Sequence, residues 1–313
     1  RLDNILRLRP DLVIVAGGIE KGASKSVLSI LESVGLACGV LPKEQRPEVL
    51  FAGNSALVKE VQQTLGTLAS LQVAPNVRPT LDIEQLTPAQ PALAQVFRHV
   101  RARQIRGVQD VDLWTGGKLL PSAMAFGRTI RYVSMEFPKK GVLGVDVGAS
   151  ATTIASAFAG DLILSVQSRL GLGENLPGIL SMCNPEDILR WLPIDISTDR
   201  LWDYIYNKSL YPASIPATEE QLLIEHALAT QAVYLAVRQA RKSYPATVRA
   251  PLPGLLPLFE PIIATGSVLT QAPRRGQALM ILLNALQPTG VTTIALDRNN
   301  LASMLGAAAG KNH

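Results

Sequence analysis

Cysteine is nearly absent from this 313-residue chain: Cys38 and Cys183 stand far apart and in no CxxC pattern. That excludes a disulfide framework and a cysteine zinc site. It suits a reducing compartment, so the expected location is cytoplasmic. Aromatic residues are also scarce, at 5%. Carbohydrate and single-stranded nucleic-acid binders rely on stacking platforms, so both classes are disfavoured. Charge is sparse at 18%, against a hydrophobic fraction of 47%; few charges and many aliphatics mark a well-buried chain rather than a disordered one. Yet no apolar run is long. Leu12–Ala16 is typical, far too short to cross a bilayer, and no signal peptide is visible, so no membrane association is expected.

The excess of basic over acidic residues is mild, 30 to 25, for a net charge of +5. Its densest run, Arg98, His99, Arg101, Arg103 and Arg106, reads as a solvated helix face. A nucleic-acid reader carries a stronger basic stripe, so no nucleic-acid partner is expected. His99 and His226 have no mate at metal-ligand spacing and read as ordinary side chains. A chain of this length usually holds two domains. It begins at Arg1 rather than Met and is read as part of a longer protein.

What is present is alternation. Leu12–Ala16 is a continuous apolar run ending in Gly17-Gly18, as a buried parallel strand should be. Val27, Ile30, Leu31 and Val34 then fall at helical spacing, with Gly35 as a stop. Val49–Gly53 is a second strand, Asn54 or Ser55 can cap a helix carrying Leu57, Val61, Leu65 and Leu68, and Leu71–Ala74 is a third strand. Strand-helix-strand-helix-strand with short turns predicts a Rossmann-like parallel unit. The loop before Lys25-Ser26 fails the P-loop pattern, because Ile19 and Ser24 stand where its glycines belong. A Pro-rich connection over 76–91 and a helical stretch to Phe137, broken at Trp114-Thr115-Gly116-Gly117, complete a first domain over residues 1–137.

The second domain, 138–313, opens with a strand, Gly141–Val147, that ends in Asp146-Val147-Gly148. Thr152–Phe158 and Leu162–Val166 follow as strands, with Gly160-Asp161 as the hairpin signal between them. A long helix over Glu219–Ser243 carries Ile224, Leu228, Ala232 and Leu235 on a face. Then come a strand, Pro261–Ala264, that runs into the turn Thr265-Gly266-Ser267, and a helix facing inward through Leu279, Leu282, Leu283 and Leu286. A fifth strand, Val291–Leu296, and a last helix, marked by Leu301, Met304, Leu305 and Ala308, close the chain. Three strands, helix, strand, helix, strand, helix is the ribonuclease-H-like order.

That order, with its two glycine turns, resembles the actin, Hsp70 and sugar-kinase superfamily. There an Asp-x-Gly hairpin wraps a phosphate tail, short side chains let backbone N–H groups approach the anion, and the aspartate holds magnesium directly or through water. Asp146, Gly148, Ser150 and Thr152 match the hairpin, and Gly266 and Ser267 match the turn against which adenosine lies. ATP and Mg are the cofactors this implies. The nearer resemblance is to the MutL-like proteins encoded beside adenosylcobalamin-dependent glutamate mutase, distinct from the mismatch-repair protein. It rests on Pro10–Gly18, Phe51–Asn54, Asp146–Ser156, Ala264–Leu269, Leu286–Thr293 and Leu296-Asp297-Arg298. It implies an accessory or chaperone protein that reactivates a cobalamin-dependent mutase, with at most a weak ATPase activity.

The chain departs from that pattern at informative places. Ala149, Ala151 and Thr153 stand where a Gly, a Thr and a second Asp are usual, Ser267 replaces a glycine, and Arg238-Gln239-Ala240-Arg241 replaces Arg-His-Ala-Gly. A single hairpin of this kind is visible, and the family's first one lies upstream of Arg1, so the chain is expected to carry half a nucleotide site. Two other readings stand beside the accessory protein: a small-molecule kinase of the same fold, and a scaffold whose nucleotide site has degenerated. Asp146 also suits a plain turn cap, and Gly266-Ser267 a plain strand-to-helix turn. Gly171 and Gly173 either bring the chain close to the site or simply turn it.

Overall fold

The computed structural model describes residues 2–22, 24–117, 119–248, 250–252 and 254–309. The chain divides into two compact units, Arg1–Leu120 and Pro121–His313.

In the first unit α1 (Leu2–Leu8) precedes β1 (Leu12–Val15), α2 (Lys25–Val40) crosses to β2 (Glu48–Phe51), and α3 (Val58–Leu65) crosses to β3 (Leu71–Val73). The strands are parallel in the order β1-β2-β3, with Val13 beside Val49 and Phe51 beside Val73. Val27, Leu31, Val34 and Cys38 of α2 close over one face around Phe51, joined by Val61 and Leu65 of α3. α4 (Gln90–Gln104) covers the other face, setting Val96 and Val100 against Leu50 and Ala52. α5 (Val108–Trp114) ends at Gly116 and Gly117, both with positive φ.

The Rossmann-like arrangement is the expected one, with two differences. β1 is an edge strand whose Ile14 stays exposed, so its apolar run is not buried on both faces. Gly35 does not stop α2. The space left by its missing Cβ, 3.3 Å from Leu65 Cδ2, lets α3 pack closely. The helix ends five residues later, where Leu41 precedes Pro42 and is held extended at ψ 142°.

The second unit begins with α6 (Ser122–Glu136). β4 (Gly141–Val147), β5 (Thr152–Phe158) and β6 (Asp161–Gln167) follow as an antiparallel meander. α7 (Pro185–Leu189), α8 (Thr198–Leu210) and the long α9 (Glu219–Ala240) lead to β7 (Phe259–Thr265), α10 (Ser267–Thr270), α11 (Arg275–Leu286), β8 (Ile294–Leu296) and α12 (Leu301–Ala308). The sheet order is β6-β5-β4-β7-β8, with β7 and β8 parallel to β4. This is the ribonuclease-H-like, actin-type order. α9 and α11 bury one face against Leu143, Val145, Val147 and Ile262. α6 and α12 cover the other through Phe126, Ile130 and Ala302. Because α6 lies on β4 and β5 and packs along α12, it belongs to the second unit, and the division falls at Leu120/Pro121 rather than at 137/138.

Several local expectations shift. The turn between β5 and β6 centres on Ala159 (φ 48°) and Gly160 (φ 90°), the paired positive angles of a two-residue hairpin turn, and Asp161 is already in the strand opposite Phe158. β8 is shorter than Val291–Leu296. In α11 the inward residues are Ala278, Ile281, Leu282, Ala285 and Leu286, while Leu279 and Leu283 point out. In α12 the small residues Ala302, Ser303 and Gly306 face the protein, and Leu301, Met304 and Leu305 are exposed.

Candidate functional site

The site grows from the carboxyl ends of three neighbouring parallel strands, the place where loops of an α/β sheet converge. In β4, Val145 and Val147 point into the core under α9. Alternation turns Asp146 to the opposite face, toward α6 and α12. Cross-strand pairing puts Thr153 beside Asp146 on β5 and Thr265 beside it on β7. After β7 the chain turns at Gly266, whose φ is 101°. A Cβ there would lie 2.7 Å from the Val147 carbonyl carbon, so only glycine lets this turn rest on the end of β4.

After β8 the Asp297 carboxylate accepts the Leu301 and Ala302 amides, both at 2.8 Å, and fixes the start of α12. Its backbone is held in turn, since its N–H donates to the Ala264 carbonyl and its own carbonyl accepts from Thr265 Oγ1 at 3.3 Å. These ends enclose a cleft of about 250 Å³ lined by Asp146, Thr265, Gly266, Ser267, Asp297 and Ser122, with Arg298 and Asn300 also at its wall. Burial holds the Asp146 carboxyl above the usual range, and the nearby Asp297 charge pushes the same way. Two carboxylates of one sign in a small cleft favour a cation or a proton between them.

The structure therefore brings Asp146, Gly266 and Ser267 to one cleft. The hairpin residues are disposed differently. The Gly148 N–H donates to the Ala151 carbonyl at 3.0 Å, and the Gly148 carbonyl accepts from Leu172. Ser150 is exposed at the tip. Thr152 is fully buried and its hydroxyl donates to the Leu170 carbonyl at 2.7 Å, so it anchors the hairpin instead of facing the cleft. Gly171 and Gly173 are close-approach residues. A Cβ on Gly171 would stand 2.5 Å from Ser150 C, and the Gly173 N–H donates to the Ala149 carbonyl at 2.8 Å. The loop after β6 is thus stitched to the hairpin tip. Asp297 was legible only as part of a sequence signature.

His226 is buried in α9, where desolvation lowers its pKa, and it lies outside the cleft. Among the described residues no group of three or more His, Cys, Asp or Glu could hold a metal by itself. No helix among them is long and apolar enough to cross a membrane. In the first unit, Arg98 faces Asp112 at 4.0 Å and Arg103 faces Glu48 at 3.6 Å, so part of the basic run is paired locally.

The second unit is thus a lobe of the ribonuclease-H-like, actin-type class. The family model described as MutL protein matches residues 1–313, and the chain belongs to that family, the one associated with glutamate mutase. No curated protein matches it. Among solved structures it is similar to the ethanolamine utilization protein EutJ from Carboxydothermus hydrogenoformans, at 17% identity and a TM-score of 0.33 over 81% of this chain and 72% of that one. It is also similar to component A of the (R)-2-hydroxyglutaryl-CoA dehydratase of Acidaminococcus fermentans, at 11% identity and 0.30 over 93% and 84%. MreB5 of Spiroplasma citri, bound to ADP, aligns at 11% identity and 0.30 over 96% and 78%.

Proposed function

We propose that the chain is a nucleotide-dependent accessory protein of a cobalamin-dependent mutase, and that it acts by binding rather than by turnover. The observation that carries this reading is the convergence of Asp146 and the Gly266-Ser267 turn on one cleft at the strand ends. Membership of the MutL family supports the accessory role. In this reading the Gly266-Ser267 backbone supports the adenosine of ATP, and Gly148 and Ser150 at the hairpin approach its phosphates. Asp146 holds Mg through one carboxylate or its waters, the remaining ligands coming from phosphate and solvent. That division suits a metal that keeps several waters and takes only one or two carboxylates. It also fits a site whose carboxyl is pushed up by burial and then by a like charge, because a divalent cation offsets both. When bound, the metal neutralises phosphate charge.

The small-molecule kinase reading needs a carboxylate base beside the acceptor hydroxyl. Asp297 is occupied as a helix cap, and Thr153, beside Asp146, has no carboxylate to act as a base. We therefore prefer the binding reading to the small-molecule kinase.

The cleft is small and its Ser267, Arg298 and Asn300 edge is open to water. Wet phosphates lose the low-dielectric advantage, so calorimetry of the chain with Mg-ATP is expected to show an affinity weaker than micromolar. Capture of the mutase from cell extract is expected to differ between ATP and ADP by a coupling of about 1–3 kcal/mol. Asp146→Ala should erase that difference and leave basal capture intact. No mutase in the capture, together with phosphoryl transfer to one small acceptor, would overturn the proposal.

A further inference from the structure

A second cavity lies away from the Asp146 cleft, between α8, the first turns of α9 and the loop joining them. Its volume is about 520 Å³. Its wall includes the buried Lys208 and the half-buried Tyr204, which share the Glu225 carboxylate behind them. Lys208 is 7% exposed, yet its ammonium donates to the Ser214 carbonyl and faces Glu225 at 3.5 Å. Tyr204 donates its hydroxyl to the same Glu225 carboxylate at 2.5 Å. At the mouth Arg200 and Glu220 pair at 2.6 Å. Each base that lines the cavity thus has its own acid. Asp203 also lines it and has no ion-pair partner among the described residues.

The surface around this cavity is unusual for the chain. Aromatics are scarce, with three tryptophans and six tyrosines in all, yet Trp202, Tyr204, Tyr206 and Tyr211 fall within ten residues. Helical spacing puts Asp199, Trp202, Asp203, Tyr206 and Leu210 on the outward face of α8, opposite the buried Leu201 and Ile205. Trp202 and Tyr206 are already stacked, with centroids 5.6 Å apart and planes 13° from parallel. Leu210, Tyr211 and Ile215 continue the apolar surface and are exposed. Asp199, like Asp203, has no ion-pair partner among the described residues.

Rigid aromatic anchors beside a cavity are what a polypeptide hot spot needs. Uncompensated carboxylates next to aromatic faces select a cation, through ion pairing and the ring quadrupole together. We infer that the α8 face and its cavity dock a basic, amphipathic segment of a partner protein, one lysine or arginine reaching Asp203 while apolar side chains cover Trp202, Tyr206 and Leu210. This inference does not depend on the nucleotide reading.

The test uses two fluorescent helical peptides, one of leucine and lysine and a counterpart with glutamate at each lysine, titrated against the full chain by anisotropy. The basic peptide is expected to bind and the acidic one not to. Non-specific attraction would give the reverse order, because the protein carries a net charge of +5. Asp203→Lys is expected to weaken the basic peptide roughly tenfold and Trp202→Ala to a similar degree. Tyr132→Ala, an exposed aromatic on α6, should change nothing. Equal binding of both peptides, preference for the acidic one, or no response to Asp203→Lys and Trp202→Ala would overturn the inference.

Discussion

Gly306 of α12 offers a direct measure of how closely the two helices beneath the cleft must pack. A Cβ built there falls 2.7 Å from the Ala125 carbonyl carbon of α6 and 3.0 Å from Thr129 Oγ1, and closer still to the Ala125 oxygen. The first partner is backbone and cannot swing aside, so Gly306→Ala must push α12 away from α6. The same movement stretches the Thr129 Oγ1 hydrogen bond to the Ala302 carbonyl, now 2.6 Å, and loosens Ala302 from the Phe126–Ile130 cluster. Overpacking of this kind costs about 3 kcal/mol, the upper end of the usual range. Replacing a helical glycine by alanine returns about 1 kcal/mol of propensity. The net loss is about 2 kcal/mol, a fall of roughly 4–8 °C in Tm for a unit of this size. Gly276→Ala on α11 is the control, because a Cβ there meets nothing; it should leave Tm unchanged or raise it slightly. The assay is a thermal melt of both variants followed by circular dichroism. A Gly306→Ala protein at least as stable as the parent would refute the packing described for α6 and α12.

Two further outcomes follow from charge. Because Asp146 has its folded pKa raised by burial and then by Asp297, the folded state holds that proton more tightly than the unfolded chain. Its contribution is therefore intact below the unfolded value near 3.8 and is lost as pH rises through the folded value. Asp146→Asn should raise Tm at neutral pH and converge with the parent in acid; a lower Tm at pH 7 would contradict this. Glu225→Gln should destabilise the second unit by about 3 kcal/mol, since it leaves the buried Lys208 ammonium without its acid. Adding Lys208→Met should restore most of the loss in urea unfolding, and no recovery would mean the pair is not the cause.

Much of the fold was legible because its signals were local. The apolar runs at Leu12, Val49 and Gly141 became strands, and Asn54 caps the turn into α3 by accepting the Ala56 amide at 3.0 Å. The parallel pairing of β1 with β2 followed from the intervening amphipathic helix. The errors about helix faces share one origin. A periodicity reading takes large aliphatics for the buried face. In α12 the opposite holds, because the helix approaches α6 so closely that only Ala302, Ser303 and Gly306 fit between them. Gly35 was misread as a stop for the same reason, since it is a contact glycine in mid-helix. Which side of a helix touches a neighbour is a tertiary fact, and neither composition nor spacing records it.

The site divides along the same line. Asp146, Gly266 and Ser267 were recognisable because a strand-end acid and a positive-φ glycine leave marks in the sequence, and the parallel order of β4 and β7 then brings them together. Thr152 carried the same kind of mark as Ser150, a hydroxyl near the hairpin. What separates them is the strand pleat and the loop after β6, which buries Thr152 and takes its hydroxyl to Leu170. Asp297 shows the converse. Nothing in its own surroundings distinguishes it from any helix-capping aspartate, and it enters the site only because β8 pairs with β7 in a register that sets Leu296 beside Ala264. One residue further along each strand stand Asp297 and Thr265, and Thr265 is the neighbour of Asp146. The two carboxylates thus meet through two successive strand pairings. That register adds the Asp297 charge to the burial that already raises the Asp146 carboxyl.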